Sequence, residues 1–274
     1  QHRQLTGVRL ARSSSVDMLL SKKATLPQGT DSIWQMGAAA VDTVTEVPGS
    51  RWAPVQADAA VKAQCRYAAF MFNLECFDNR IFSTSVAESS AMDPQQRVVL
   101  SDSYAAMHAS GLRRQELLGS GVGVYLGITS TEFSQVARPA SAYGIGGVGH
   151  CFACGRLSYL LGLQGPCAAT DTACSSTLVA AHSAMRALQC NECPKAVLSG
   201  VHAMLVPSGA LLYAPGGILS KGGRSHTFDV RADGFGRGEA CGSALLGAEG
   251  SGERTQLASA AVRQDGKSAS FTAP

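Results

Sequence analysis

The stretch Asp171-Thr172-Ala173-Cys174-Ser175-Ser176 holds the residue types most able to do chemistry in this sequence. A strand-like approach over 166–172 precedes the cysteine, and an Ala-rich helical stretch over 175–188 follows it. A cysteine at such a junction points its sulfur at the free N–H groups that open the helix. Those groups favour thiolate, the nucleophilic form, and can help hold an oxyanion. Ala173, Ser175 and Ser176 are small, so a thioester-bearing arm could approach. On residue types alone, a buried and inert cysteine beside a polar turn is an equally good reading.

The other cysteines are 65, 76, 151, 154, 167, 190, 193 and 241, nine in all with Cys174. An odd number in a chain of this size reads as free thiols in a reducing compartment, and so as an intracellular protein of the cytoplasm or of a plastid or other organelle. The pairs Cys151/Cys154 and Cys190/Cys193 have the outline of a four-thiolate zinc site. Neither is flanked by a Gly-rich knuckle and both fall in helical-looking segments, so small residues used for packing is the preferred reading, with no metal. Among the histidines, His182 lies on the same predicted helix as Cys174 but about 12 Å along its axis, outside hydrogen-bond reach.

The elements that must position Cys174 alternate between strand and helix. Residues 16–20 are a weak strand, 31–40 a short helix around Trp34, and Pro48-Gly49 a turn. Asp93 as N-cap, Pro94 at the first helical position and Gln96 at the capping-box position open a helix over Gln95–Ala109 that stops at Gly111. Strands are predicted over Gly121–Ile128, Ala196–Leu205, Gly242–Leu246 and Gln256–Val262, and a helix through Leu157–Leu161 ends at Gly162. The helix after Cys174 is predicted to bury Leu178, Ala181, Met185 and Leu188 on one face. This alternation makes the fold class α/β.

The bulk composition agrees. The 274 residues are 45% hydrophobic and only 16% charged, with 30 glycines. That suits a buried, layered domain or large contacts between protomers and excludes a disordered chain. A net charge of +3 gives no case for nucleic acid, and no apolar run is long enough for a spanning helix. Positive charge gathers in Arg3, Arg9, Arg12, Lys22 and Lys23 against Asp17. Residues 1–26 therefore read as a basic leader or docking arm carrying the weak first strand, and 27–274 as the domain proper.

Residues 165–181, Gly-Pro-Cys-Ala-Ala-Thr-Asp-Thr-Ala-Cys-Ser-Ser-Thr-Leu-Val-Ala-Ala, closely resemble the active-site signature of β-ketoacyl synthases, in particular the ketosynthase domains of modular polyketide synthases. Gly49-Ser50-Arg51-Trp52, Phe77–Ser83, Met92-Asp93-Pro94-Gln95-Gln96-Arg97, Leu219–Phe228, Ala232–Glu239 and Gln264-Asp265-Gly266 resemble further blocks of that family in order and spacing. The sequence departs from the pattern at Gly155, in place of an Asn, at Ala240, in place of a Gly, and at Arg263, in place of an Asn.

The resemblance implies the N-terminal half of a thiolase-like layered fold, a mixed sheet with helices on both faces. It implies that Cys174 takes an acyl group from the phosphopantetheine of an acyl carrier protein or from coenzyme A, with no cofactor bound by the chain itself. A decarboxylated malonyl-type extender would then attack the acyl group. The family's two histidines, a lysine and an oxyanion loop lie in a C-terminal half beyond residue 274, so full chemistry requires a missing half, from the same or another chain. His226 reads as a loop residue rather than a base. Family members dimerise along the strand near Pro166–Ala169, and a half-fold is expected to expose an apolar sheet face that needs a partner within a larger assembly. Two readings stay beside the acyltransferase: a catalytically inactive structural subunit, and an acyl-holding subunit that never condenses.

Overall fold

A computed structural model of the chain describes residues 16–20, 38–136, 138, 140–248 and 256–268, with backbone alone for 16–20 and 248. Its centre is a six-stranded mixed sheet. The strands are β1 (Val16–Leu20), β4 (Gly123–Ile128), β5 (Cys167–Thr170), β6 (Lys195–His202), β7 (Ala240–Ala248) and β8 (Gln256–Leu257), in the order β5-β4-β6-β7-β1-β8. A second, two-stranded antiparallel sheet pairs β2 (Val44–Glu46) with β3 (Tyr67–Ala69). Strands β5, β4 and β6 are parallel, whereas β7, β1 and β8 join antiparallel. The weak strand over 16–20 is therefore a full member of the sheet. Of the short helix around Trp34, residues 31–37 lie outside the described residues.

Alternation along the central strands divides the core in two. Val124, Leu126, Val197, Val201 and Leu245 face a cluster built with the helices Pro94–Ala109 and His150–Leu161. Tyr125, Ala196, Leu198 and Leu246 face the helix Ser176–Gln189, which buries Ala180, Ala181, Ala184, Met185, Ala187 and Leu188 against them. Helices thus cover both faces, as a buried parallel region requires. The expected apolar sheet face is not open at its centre, because this helix lies on it. Leu178 breaks from its predicted face and is 74% exposed. In the first turn Thr177 is the residue that meets the sheet, and the neighbouring position then points away.

The start of the Pro94–Ala109 helix follows local rules only in part. Asp93 caps it, its carboxylate accepting from Gln95 N at 2.8 Å, and Pro94 occupies the first position. Gln96 closes no capping box. Its side-chain amide donates to Gly146 O and its carbonyl accepts from Arg156 Nε. Arg156 also pairs with Glu88, so Gln96 belongs to a partly buried tertiary network that a one-dimensional capping rule misses. The helix stops where expected, with Gly111 at φ 82°, and the His150–Leu161 helix ends at left-handed Gly162.

Two sequence blocks 188 residues apart meet in one buried ion pair. Glu239 accepts from Arg51 Nη2 at 2.9 Å and from the amides of Met71 and Met204 at 2.7 Å each. Arg51 in turn donates to the carbonyls of Met204 and Met71. The pair ties the connection between β2 and β3 to the ends of β3 and β6 and the entry to β7.

Candidate active site

Strand β5 leads through Asp171 into a tight turn whose geometry is held by its own short polar side chains. Asp171 accepts from Ala173 N at 3.2 Å. Ser176 Oγ accepts from Thr172 N at 2.9 Å and donates to Ala173 O at 2.6 Å. Ser175 Oγ donates to Thr172 O at 2.8 Å. The serines therefore brace the turn as well as leaving space. Ala173 sits in the left-handed region at φ 54°, a strain of about 1–2 kcal/mol for a residue with a Cβ.

Cys174 lies in the 3₁₀ turn Ala173–Ser175, directly before the Ser176–Gln189 helix, and is exposed rather than buried. Cys174 is therefore not a buried core residue. No side chain caps the helix, because the Ser175 hydroxyl is turned back on Thr172. Ser175 N and Ser176 N donate to Thr172 O and Ala173 O within the turn, so Cys174 sits beside the positive end of the helix rather than beside a set of free amides.

Two glycines let the helix start sit directly on the sheet. A Cβ on Gly127 of β4 would come within 2.6 Å of Thr177 Cα, and one on Gly200 of β6 within 2.9 Å of Thr177 Cγ2. These strands are buried, so the helix can escape only outward. Gly127→Ala is expected to destabilise the fold by about 1–3 kcal/mol, the range for overpacking, and to lower the reactivity of Cys174 toward thioesters. Thermal unfolding and adduct formation measured on the same preparation check both halves.

Cys174 opens onto a cleft of about 880 Å³ bounded by the C-terminal ends of β4 and β6, the helix Ser208–Tyr213 and residues 235–240. Ser130, Thr131, Thr177 and Ser208 supply hydroxyls, and Val201, Leu212, Tyr213 and Phe235 supply apolar surface. Gln95 holds two edges of this cleft, donating to Ser130 O at 3.0 Å and accepting from Ala203 N at 3.1 Å. The Met92–Arg97 hexapeptide thus reaches the site indirectly, as a buttress behind it.

His202 lines the same cleft, a residue that sequence reading passed over. Ala196, Leu198 and Gly200 face the Ser176–Gln189 helix, and strict alternation puts His202 on that face at the end of β6. That period-two pattern was a signal available in the sequence. Burial pushes the imidazole below its ordinary value, Arg237 pushes it down further, and Glu132 opposes both. The ring is therefore neutral near pH 7. Beside it, Glu132 accepts from the amides of Leu205 at 2.8 Å and Val206 at 3.1 Å, and its other oxygen lies 3.8 Å from Arg237 Nη2.

The remaining candidates lie elsewhere. His182 Nδ1 is 3.1 Å from Ala260 O, and His226 is in the loop before β7, near Asp229 and Asp233. All nine cysteines are unpaired thiols. Cys151 and Cys154 sit on one helix, whereas Cys193 lies beyond the end of another, so the two pairs do not form one cage. Among the described residues no group of three or more His, Cys, Asp or Glu side chains could hold a metal, and no helix is long and apolar enough to cross a membrane.

The chain compares closely with known proteins. It is 37% identical over 264 residues to a phenolphthiocerol/phthiocerol polyketide synthase of Mycobacterium bovis, covering 90% of this chain and 14% of that protein. It is 39% identical over 233 residues to the phthioceranic/hydroxyphthioceranic acid synthase of Mycobacterium tuberculosis, covering 81% and 11%. The chain thus spans a small part of the curated relatives it matches. Among solved structures, the ketosynthase from module 6 of the bacillaene synthase of Bacillus subtilis 168 matches with a TM-score of 0.71 at 30% identity, over 85% of this chain and 39% of that one. An oxazolomycin ketosynthase domain of Streptomyces albus JA3453 matches with a TM-score of 0.71 at 29% identity, over 85% and 42%. The family model described as beta-ketoacyl synthase, N-terminal domain, matches residues 20–249. With that match, the shared fold and a cysteine turn opening onto a cleft, the chain belongs to the β-ketoacyl synthase family, of which it carries the N-terminal domain.

Proposed function

We propose that this chain supplies the acyl-accepting half of a ketosynthase in a polyketide-type pathway, with Cys174 as the nucleophile. The observation that carries this reading is an exposed cysteine in a strained turn, ahead of a helix start with no side-chain cap. The Cys174 thiolate attacks the carbonyl of an acyl thioester presented on phosphopantetheine of a carrier protein or on coenzyme A. A C–S bond to Cys174 forms, and the carbonyl oxygen becomes an oxyanion near the positive end of the helix. The C–S bond to the carrier breaks as the carbonyl is restored, the carrier leaving as a thiolate that takes up a proton from water. A malonyl-type thioester then loses carbon dioxide. Its carbanion attacks the acyl group, forming a C–C bond and returning the Cys174 thiolate.

The second step needs groups that polarise the extender thioester. His202 is the one histidine lining the Cys174 cleft among the described residues. The family resemblance assigns a histidine pair to the second half of the fold, so condensation requires that half together with this one. The open edge strand β5, with Cys167 and Ala168 exposed, is available for pairing with a second copy.

The test gives the protein containing this chain, with its co-purifying partners, an acyl thioester followed by a malonyl thioester. Intact mass and product analysis follow. The expected outcome is a Cys174 adduct consumed into a 3-oxoacyl thioester. An adduct that forms but is never elongated leaves an acyl-holding role, and no adduct at all leaves a structural one.

A further inference from the structure

Two polar groups on one wall of the Cys174 cleft have hydrogen-bonding capacity that the fold does not use. Arg237 has a side chain only 8% exposed, yet its Nη1 is buried with no hydrogen-bond partner among the described residues. Its Nη2 is 3.8 Å from Glu132 Oε1, beyond hydrogen-bond distance, while Glu132 Oε2 accepts from the Leu205 and Val206 amides. His202 stands next to this pair, partly buried, and its ring makes no hydrogen bond to the described residues. A buried guanidinium nitrogen without an acceptor is costly unless something in the working molecule supplies one.

We infer that this wall reads an uncharged oxygen, a hydroxyl or oxo group, on the acyl chain that Cys174 receives, so that oxygen-bearing acyl chains are favoured over saturated ones. The inference rests on the acyl-transfer reading above and deepens it. Charge selects the class: Glu132 already offsets Arg237, so a second carboxylate would meet like charge, whereas a neutral oxygen accepts from Arg237 without that repulsion. A neutral imidazole both donates and accepts, and so can serve either a carbonyl or a hydroxyl. The cleft hydroxyls of Ser130, Thr131 and Ser208 continue the polar surface. A site built to hydrogen-bond a substrate oxygen discriminates strongly against the analogue lacking it, since its own buried groups then go unpaired.

The experiment measures acylation of Cys174 by peptide-level mass spectrometry in the protein containing this chain. The probes are the N-acetylcysteamine thioesters of 3-hydroxybutyrate, butyrate and succinate. The 3-hydroxybutyryl group is expected to load at least about tenfold faster than butyryl, with succinyl the slowest. His202→Leu and Arg237→Lys are each expected to bring the hydroxyl-to-saturated ratio toward one, through a larger loss of 3-hydroxybutyryl than of butyryl loading. Arg237→Lys keeps the charge beside Glu132, and the half-buried His202 offers a second variant should that one fold poorly. A ratio near one in the unaltered protein, a preference for succinyl, or equal loss of both rates in the variants overturns the inference. Failure of every thioester to load Cys174 instead removes the acyl-transfer reading, and this inference with it.

Discussion

Cys174→Ala is expected to abolish the acyl adduct entirely while leaving stability within about 0.5 kcal/mol of the parent, because the residue is exposed and its Sγ braces nothing in the turn. The bracing is done by Asp171, Ser175 and Ser176 through backbone contacts that an alanine at 174 does not disturb. Intact mass after thioester treatment, read beside a thermal melt, separates chemistry from folding. The comparison is demanding because Cys76, Cys151, Cys167 and Cys190 are also exposed. An adduct of undiminished yield in the variant would place the modification on one of those thiols and end the case for Cys174. A second control follows from the turn itself. Ser176→Ala removes both the acceptor for Thr172 N and the donor to Ala173 O. It should therefore slow adduct formation without eliminating it.

The second large effect is on stability. Glu239→Ala is expected to cost about 3–5 kcal/mol, since it removes one member of a buried ion pair and leaves the other uncompensated. The Glu239 side chain is fully buried and that of Arg51 is 15% exposed, so water cannot replace the lost partner. The amides of Met71 and Met204 lose their acceptor at the same time. Glu239→Gln keeps a carbonyl acceptor and should lose clearly less. Joint replacement of Arg51 and Glu239 by methionine should cost less than the sum of the single changes, because no charge is then stranded. Urea unfolding of the parent and these variants reads this directly. A single-site loss under about 1 kcal/mol would mean that the pair is peripheral to the fold.

Both results bear on how the family's sequence blocks act. Arg51 and Glu239, from two of those blocks, meet to fix the ends of β3, β6 and β7. The Met92–Arg97 block stands behind the cleft, with Gln95 holding Ser130 and Ala203 in place. The Asp171–Ser176 block forms the turn that presents Cys174. Several of the family's sequence blocks thus act as struts around the cysteine turn.

What the sequence determined by itself was local. Asp93 and Pro94 specify a helix start, Gly111 and Gly162 specify helix ends, and the strand–cysteine–small-residue–helix order specifies the turn that carries Cys174. These signals act through the backbone of a few neighbouring residues, so they can be read without knowing what lies across the core. Tertiary structure decided every question of partnership. Gln96 was drawn from its own helix end to Gly146 and Arg156, 50 and 60 residues away. Leu178 was turned outward because Thr177, seated over Gly127 and Gly200, meets the sheet first. His202 and Arg237 entered the Cys174 cleft because the register of β6 against β7 sets Ala240 opposite His202. The physical reason is common to all three: a side chain's role depends on which groups share its space, and only the packed sheet and helices bring those groups together.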